Sequence, residues 1–233
     1  MNPLFAYPKS TAYGRMVPKS KIYEHANASA KLKDLFVDQV DKITWAFKLA
    51  PETLNLTGSK AVPEIQVFHI RQKTPVLKED VLRAIDKAIP FPIIFELYWK
   101  DKVKVVASFK RPNKAQNGDA DKNKWIISDY LQSDWLDKEV ARDGLPTVTK
   151  LDTLYEKLLA PLMPIEASEG EDITSQVARV EDIQAQKREV ERIKTRMDKE
   201  KQFKKRVQLN SDLKKAKAVL AGLEKPAAQH NKM

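Results

Sequence analysis

Glu64, Glu96 and Lys110 are the nearest the sequence comes to a catalytic set. Glu64 opens the β-prone run EIQVFHIR, Glu96 lies inside Ile-Phe-Glu-Leu-Tyr, and Lys110 closes the run that starts at Val103. On neighbouring strands, two carboxylates and a lysine could hold a divalent cation and activate water for phosphodiester cleavage, as a divergent metal-dependent nuclease would need. The compact Asp…Glu-x-Lys spacing of such sites is missing, and strand carboxylates facing solvent are common. The sequence therefore favours no metal and no catalytic residue over this trio. His69, between apolar neighbours in a strand and with no orienting group in view, reads as a core or edge histidine rather than a base.

Binding chemistry is better represented. From Arg179 to Lys217 there are 14 Lys/Arg and 7 Asp/Glu, so this segment supplies +7 of the chain's net +10. Lys201, Lys204, Lys205 and Arg206 could neutralise phosphates without reading bases, or dock on an acidic partner. The plainer alternative is the solvated face of a coiled coil. Trp45, Trp99, Trp125 and Trp135 lie beside lysines, where base stacking is conceivable, but each is in or next to an apolar run, which favours core packing.

Several classes are disfavoured outright. The six glycines are scattered and form no phosphate-cradling loop, so nucleotide hydrolysis and dinucleotide chemistry are not expected, and no cofactor is. Cysteine is absent, which removes disulfides and thiolate chemistry, and His25, His69 and His230 are far apart. The N-terminus lacks an apolar signal core and the longest apolar stretches, such as Phe91–Leu97, are too short to span a bilayer. A cytoplasmic protein with no membrane contact is expected.

The elements that must position these residues follow from periodicity. Pro3, Pro8 and Pro18 suggest an irregular arm over residues 1–20. Leu32, Leu35, Phe36 and Val40 mark a helix capped by Asn27 or Ser29, and Ile43–Leu49 reads as a strand that this helix could instead run into. Thr74-Pro75 suggests the start of a second helix carrying Val81, Leu82, Ile85 and Ile89. Ile93–Trp99 and Val103–Phe109 suggest a hairpin, Asn113 to Asn123 an exposed loop, Trp125 to Trp135 a further strand, and Leu151 to Leu162 a helix closed by Pro161 and Pro164. The expected fold is α+β: a mixed or antiparallel sheet of about five strands packed with helices over residues 21–164. A linker at 165–171, a basic, coiled-coil-like helical extension at 172–224 and a disordered tail at 225–233 complete it. Heptad fragments in the extension lack a common register, leaving a helical hairpin and an interrupted coiled coil, with homo-oligomerisation through it, both open.

The ordered strings Val17-Pro18-Lys19-Ser20-Lys21-Ile22-Tyr23, Ile43 to Asn55 (ITWAFKLAPETLN), Glu64-Ile65-Gln66-Val67-Phe68 and Pro90-Phe91-Pro92 resemble the bacterial and archaeal family catalogued as domain of unknown function 4391. The resemblance covers roughly residues 15 to 160. It implies a context beside helicases and DNA methyltransferases of restriction-like or phage-defence clusters, and offers no accepted catalytic residues. Trp45, Lys48, Pro51 and Asn55 fall within its strings as either a functional surface or a defining turn. The expected function is a non-enzymatic accessory subunit of a DNA-processing system. Its partners would be a nearby-encoded helicase or methyltransferase and possibly DNA, with Trp45, Lys48 and the basic tail as contacts. A nuclease and a structural coiled-coil adaptor are the alternatives.

Overall fold

The computed structural model describes residues 1–113 and 125–224, which fall into two units, Met1–Leu162 and Met163–Met233. Most of the loop expected before Trp125, and the tail expected at 225–233, lie outside the described residues.

The first unit is built on a mixed sheet. Its path runs β2 (Ala12–Met16), β3 (Val40–Leu49), β4 (Ile65–Gln72), β5 (Ile93–Trp99), β6 (Lys102–Pro112) and β7 (Trp125–Gln132), with β8 (Leu136–Asp137) paired to β6. Neighbours are antiparallel except β4 and β5, which are parallel and joined by α4 (Glu79–Ala88), the crossover a parallel pair needs. A separate two-stranded ladder pairs β1 (Phe5–Ala6) with β9 (Asp143–Gly144). The main sheet has seven strands where about five were expected.

Alternation, interrupted by register shifts such as those at Trp45/Phe47 and Ser108/Lys110, fixes which residues face which side. In the central strands Ile43, Trp45, Phe68, Ile70, Phe95 and Leu97 face α1 (Lys19–His25), α2 (Ala30–Gln39) and α4, forming a core with Phe36, Val81 and Ile85. Phe95 sits at its centre, fully buried, with ring centroids 6.4 Å from Phe68 and 6.5 Å from Tyr130. The intervening residues, among them Thr44, His69 and Glu96, therefore face the other side. There α5 (Leu151–Leu159) contributes Tyr155, stacked on Phe109 at 6.0 Å.

Two local expectations are corrected, and the alternatives left open at α2 are resolved. The first 20 residues are not an irregular arm: β1, β2 and the start of α1 lie within them. Met16 pairs with Thr44 and Arg15 with Trp45. Helix α4 begins at Glu79 rather than after Thr74-Pro75, because the Thr74 hydroxyl donates to the Val76 carbonyl and holds a turn there. Helix α2 stops at Gln39 and does not run into β3; the Ser29 hydroxyl, not Asn27, accepts from the Leu32 amide as its N-cap. The β5–β6 hairpin turns without glycine by placing Lys100 at φ 53°.

In the second unit α6 (Ile173–Lys199) and α7 (Phe203–Glu224) pack antiparallel, with Gln186 donating to the Ala216 carbonyl at 2.9 Å and Lys187 paired with Glu224 at 2.9 Å. Ile193, Leu213 and Ala216 form their buried seam, flanked by Val190, Met197 and Leu209. Of the two arrangements left open by the heptads, this is the hairpin. Among the described residues no helix is long and apolar enough to cross a membrane.

Because Phe95 joins two strands to the helical layer, Phe95→Ala should lower unfolding free energy by about 3–5 kcal/mol in urea titrations. A loss under about 1 kcal/mol would show that the core does not depend on this layer.

Candidate functional site

The alternation carries Glu96 to the sheet face opposite the main helical core, where it is 1 % exposed. A lone carboxylate there would be costly, and Arg142 answers it with a bidentate pair, Nη1 and Nη2 donating to its two oxygens at 2.8 Å each. Arg142 comes from the segment just before β9, and its Nη1 also donates to the Phe5 carbonyl, so the ion pair is tied to the short β1–β9 ladder. The Tyr98 hydroxyl donates to Glu96 Oε2 at 2.6 Å and accepts from Arg142 at 3.0 Å. Burial alone would raise the Glu96 carboxyl, but the Arg142 hydrogen bonds, helped by His69, hold it down at about 2. Tyr98 is pushed up by burial and then by Glu96, and Tyr7, half-buried beside them, is pushed up for the same reasons. Glu96 is thus a fixed anion and Tyr98 a fixed phenol.

His69 Nε2 lies 3.3 Å from Glu96 Oε2 without the alignment of a full hydrogen bond. Its ring packs edge-on against Tyr98 at 5.1 Å and Phe47 at 5.8 Å. An orienting carboxylate for His69 therefore exists, 27 residues away in sequence on the adjacent parallel strand.

Lys110 occupies the opposite face. It is 1 % exposed, 3.5 Å from Asp86 Oδ1, and caps the end of α4 by donating to the Asp86 carbonyl at 2.5 Å and to that of Ile89. Asp86 Oδ2 accepts from Tyr130 at 2.5 Å and from Ser108 at 3.2 Å. Burial raises Asp86, opposed by Lys110, and burial lowers Lys110, opposed by Asp86. Glu64 lies elsewhere again, 3.5 Å from Lys48 and hydrogen-bonded by Gln66. The structure does not bring Glu64, Glu96 and Lys110 together: Glu96 and Lys110 are on opposite faces, each with its own counter-ion. Among the described residues no group of three or more His, Asp or Glu side chains is placed to hold a metal ion.

Trp45 and Lys48 serve their own neighbourhood. Trp45 stacks on Phe68 at 6.1 Å, lies 4.1 Å from Tyr13, and donates to the Phe47 carbonyl. Lys48 pairs with Glu52 at 2.6 Å. Pro51 starts the one-turn helix α3 (Pro51–Leu54), Thr53 accepts from the Ala50 amide, and Asn55 closes the turn at φ 54°. These residues build a turn.

In the second unit Lys201, Lys204, Lys205 and Arg206 are all exposed at the junction of α6 and α7, and none is in an ion pair with a described residue. Phe203 stands among them at 82 % exposure. The residues that sequence reasoning missed are Arg142, Tyr98, Asp86 and Tyr130. Tyr98 was findable, two residues from Glu96 and so on the same strand face. Asp86 was findable as a carboxylate on the stripe of Leu82 and Ile89.

Residues 5–220 match the family model described as Domain of unknown function (DUF4391). No curated protein and no solved structure matches the chain.

Removing Arg142 leaves Glu96 buried without its cation, so Arg142→Ala should cost about 3–5 kcal/mol of stability by denaturant titration. Glu96 is held at about 2 against an ordinary 4.5, so its contribution of about 3 kcal/mol is complete above pH 4.5 and is lost as pH falls towards 2. Stability of the native chain should fall through that window, and Arg142→Ala should flatten the fall. Equal slopes for the two proteins would break the assignment.

Proposed function

The chain belongs to the family described as Domain of unknown function (DUF4391), and on that footing we propose that it is a non-enzymatic accessory subunit of a DNA-processing assembly that holds nucleic-acid backbone through its basic helical pair. The observation that carries this reading is the run Lys201, Lys204, Lys205 and Arg206, exposed and without a carboxylate partner among the described residues. Four such cations on one short stretch displace condensed counterions from a phosphate backbone, an interaction that needs no base contact. Phe203, exposed in their midst, adds an aromatic face on which an unpaired base can stack.

The helical pair supports the reading by its arrangement. Ile193, Leu213 and Ala216 bury an apolar seam between its two helices, which places the basic junction at one end of a helical hairpin. The buried charges of the first unit point the same way, since Glu96 and Lys110 are each neutralised by a structural partner. Any helicase or DNA methyltransferase partner would engage the remaining surface of the assembly.

Binding of the intact chain to a labelled duplex and a labelled single strand, followed by fluorescence anisotropy across a salt series, tests this. The log–log salt slope should become shallower by about 3.6 when Lys201, Lys204, Lys205 and Arg206 are all replaced by Gln, at the 0.9 per phosphate contact expected of duplex DNA. An unchanged slope would assign DNA contact elsewhere or nowhere. Phe203→Ala should weaken single-strand binding by about 1–3 kcal/mol and leave the duplex nearly untouched.

A further inference from the structure

Two rows of polar side chains cross the central strands on the face away from the main helical core. Thr44, His69 and Glu96 are directly opposed across β3, β4 and β5, and Lys42, Arg71 and Tyr98 form the next row. Residues opposed in this way have Cβ atoms about 5 Å apart, so the rows make a continuous polar floor. A cavity of 710 Å³ opens over it, its wall including Lys42, Thr44, His69, Arg71 and Lys100, with Asp41 and Lys73 at its side.

The charge of this cavity is unbalanced. Arg71 donates to the Asp41 carboxylate, which cancels one cation. Lys42 has no carboxylate partner among the described residues, Lys100 lies 4.7 Å over the Trp99 ring, and the neighbouring Lys73 donates to the neutral Val37 carbonyl at 2.7 Å. Glu96 contributes no free charge, being matched by Arg142 on the same face. His69 is held by Glu96, Tyr98 and Phe47 on one side while the residue lines the cavity on the other. Two ammonium groups without a carboxylate partner among the described residues, those of Lys42 and Lys100, beside a hydroxyl and an imidazole suit an anion of nearly two charges with several peripheral oxygens.

We propose that this cavity is a binding site for a phosphate monoester, with Lys42 and Lys100 supplying the charge and Thr44 and His69 the directed hydrogen bonds. Glu96, Arg142 and Tyr98 are positioning residues that fix His69. The monoester is either a free nucleoside monophosphate or the 5′-phosphate end of a strand; both present the same group. The site lies wholly within the first unit and does not depend on the helical pair.

Calorimetric titration of the intact chain with adenosine 5′-monophosphate, and with one oligonucleotide carrying either a 5′-phosphate or a 5′-hydroxyl, tests it, with inorganic phosphate as competitor. Saturable binding displaced by phosphate, and weakened about tenfold in Lys42→Ala, is expected, since a charged hydrogen bond is worth that much. Lys42 is exposed, so the variant should fold as the native chain does; His69→Gln is the second variant and should weaken binding similarly. Preference for the phosphorylated strand assigns the group to a strand end, whereas monophosphate binding with equal affinity for the two strands assigns it to a free nucleotide. The proposal is overturned if no ligand saturates below about 10 mM and the two strands bind alike. It is also overturned if binding is unchanged in both Lys42→Ala and Lys100→Ala. The Gln variant of the helical junction should keep monophosphate binding, so failure of one site is readable apart from failure of the other.

Discussion

Glu96 and Lys110 carry opposite charges into opposite faces of one sheet, and neither could be there unpaired, because a charge withdrawn from water without a partner costs more than a domain of this size can spare. Each is met on the spot. Arg142 clamps both oxygens of Glu96 and in doing so ties the β1–β9 ladder to the central strands. Lys110 meets Asp86 and closes the carbonyl end of α4, joining the crossover helix to β6, while Tyr130 and Ser108 take up the other Asp86 oxygen. The polar interior is therefore a set of ties between elements distant in sequence. Burial of this kind favours one arrangement of the sheet more than it adds stability over an apolar core.

That constraint also divides labour along the chain. The residue types that chemistry would want, a carboxylate and a lysine in β-strands, are consumed by structure in the first unit. Among the described residues, exposed cations without a carboxylate partner gather at two places, around the cavity on the polar floor and in the run at the junction of α6 and α7. These two places carry the two phosphate-binding proposals, one for a pocket beside His69 and the other for a diffuse contact with a backbone. A chain with net +10 places its surplus mainly in the helical pair, where flexible lysines suit a partner read for charge rather than sequence.

Much of the fold was legible because periodicity is local. The stripe Val81, Leu82, Ile85 placed α4 and the runs on either side of Lys100-Asp101 placed the β5–β6 hairpin. Strand β2 was not legible: it is an edge strand whose five residues are almost all exposed, so it carries no alternation, and the prolines around it suggested an arm. Thr74-Pro75 misplaced the start of α4 because a threonine hydroxyl can as readily close a turn as cap a helix. The candidate site was legible only in halves. Glu96 and His69 stood out as polar residues in strands, but the pairing of Glu96 with Arg142, 46 residues on, and the opposite facing of Lys110 depend on sheet register and loop path, which no local pattern encodes.

Glu96 is a structural anion, and the proposed nucleic-acid contact rests on exposed cations instead. The most direct test measures two properties of Glu96→Gln: its urea unfolding free energy, and the duplex affinity of the folded protein at fixed salt and with Mg²⁺ present. The account predicts a loss of about 3 kcal/mol or more in stability, unchanged duplex affinity and no cleavage by either protein. Intact stability together with abolished duplex binding, or with loss of a Mg²⁺-dependent cleavage seen in the native chain, would contradict it.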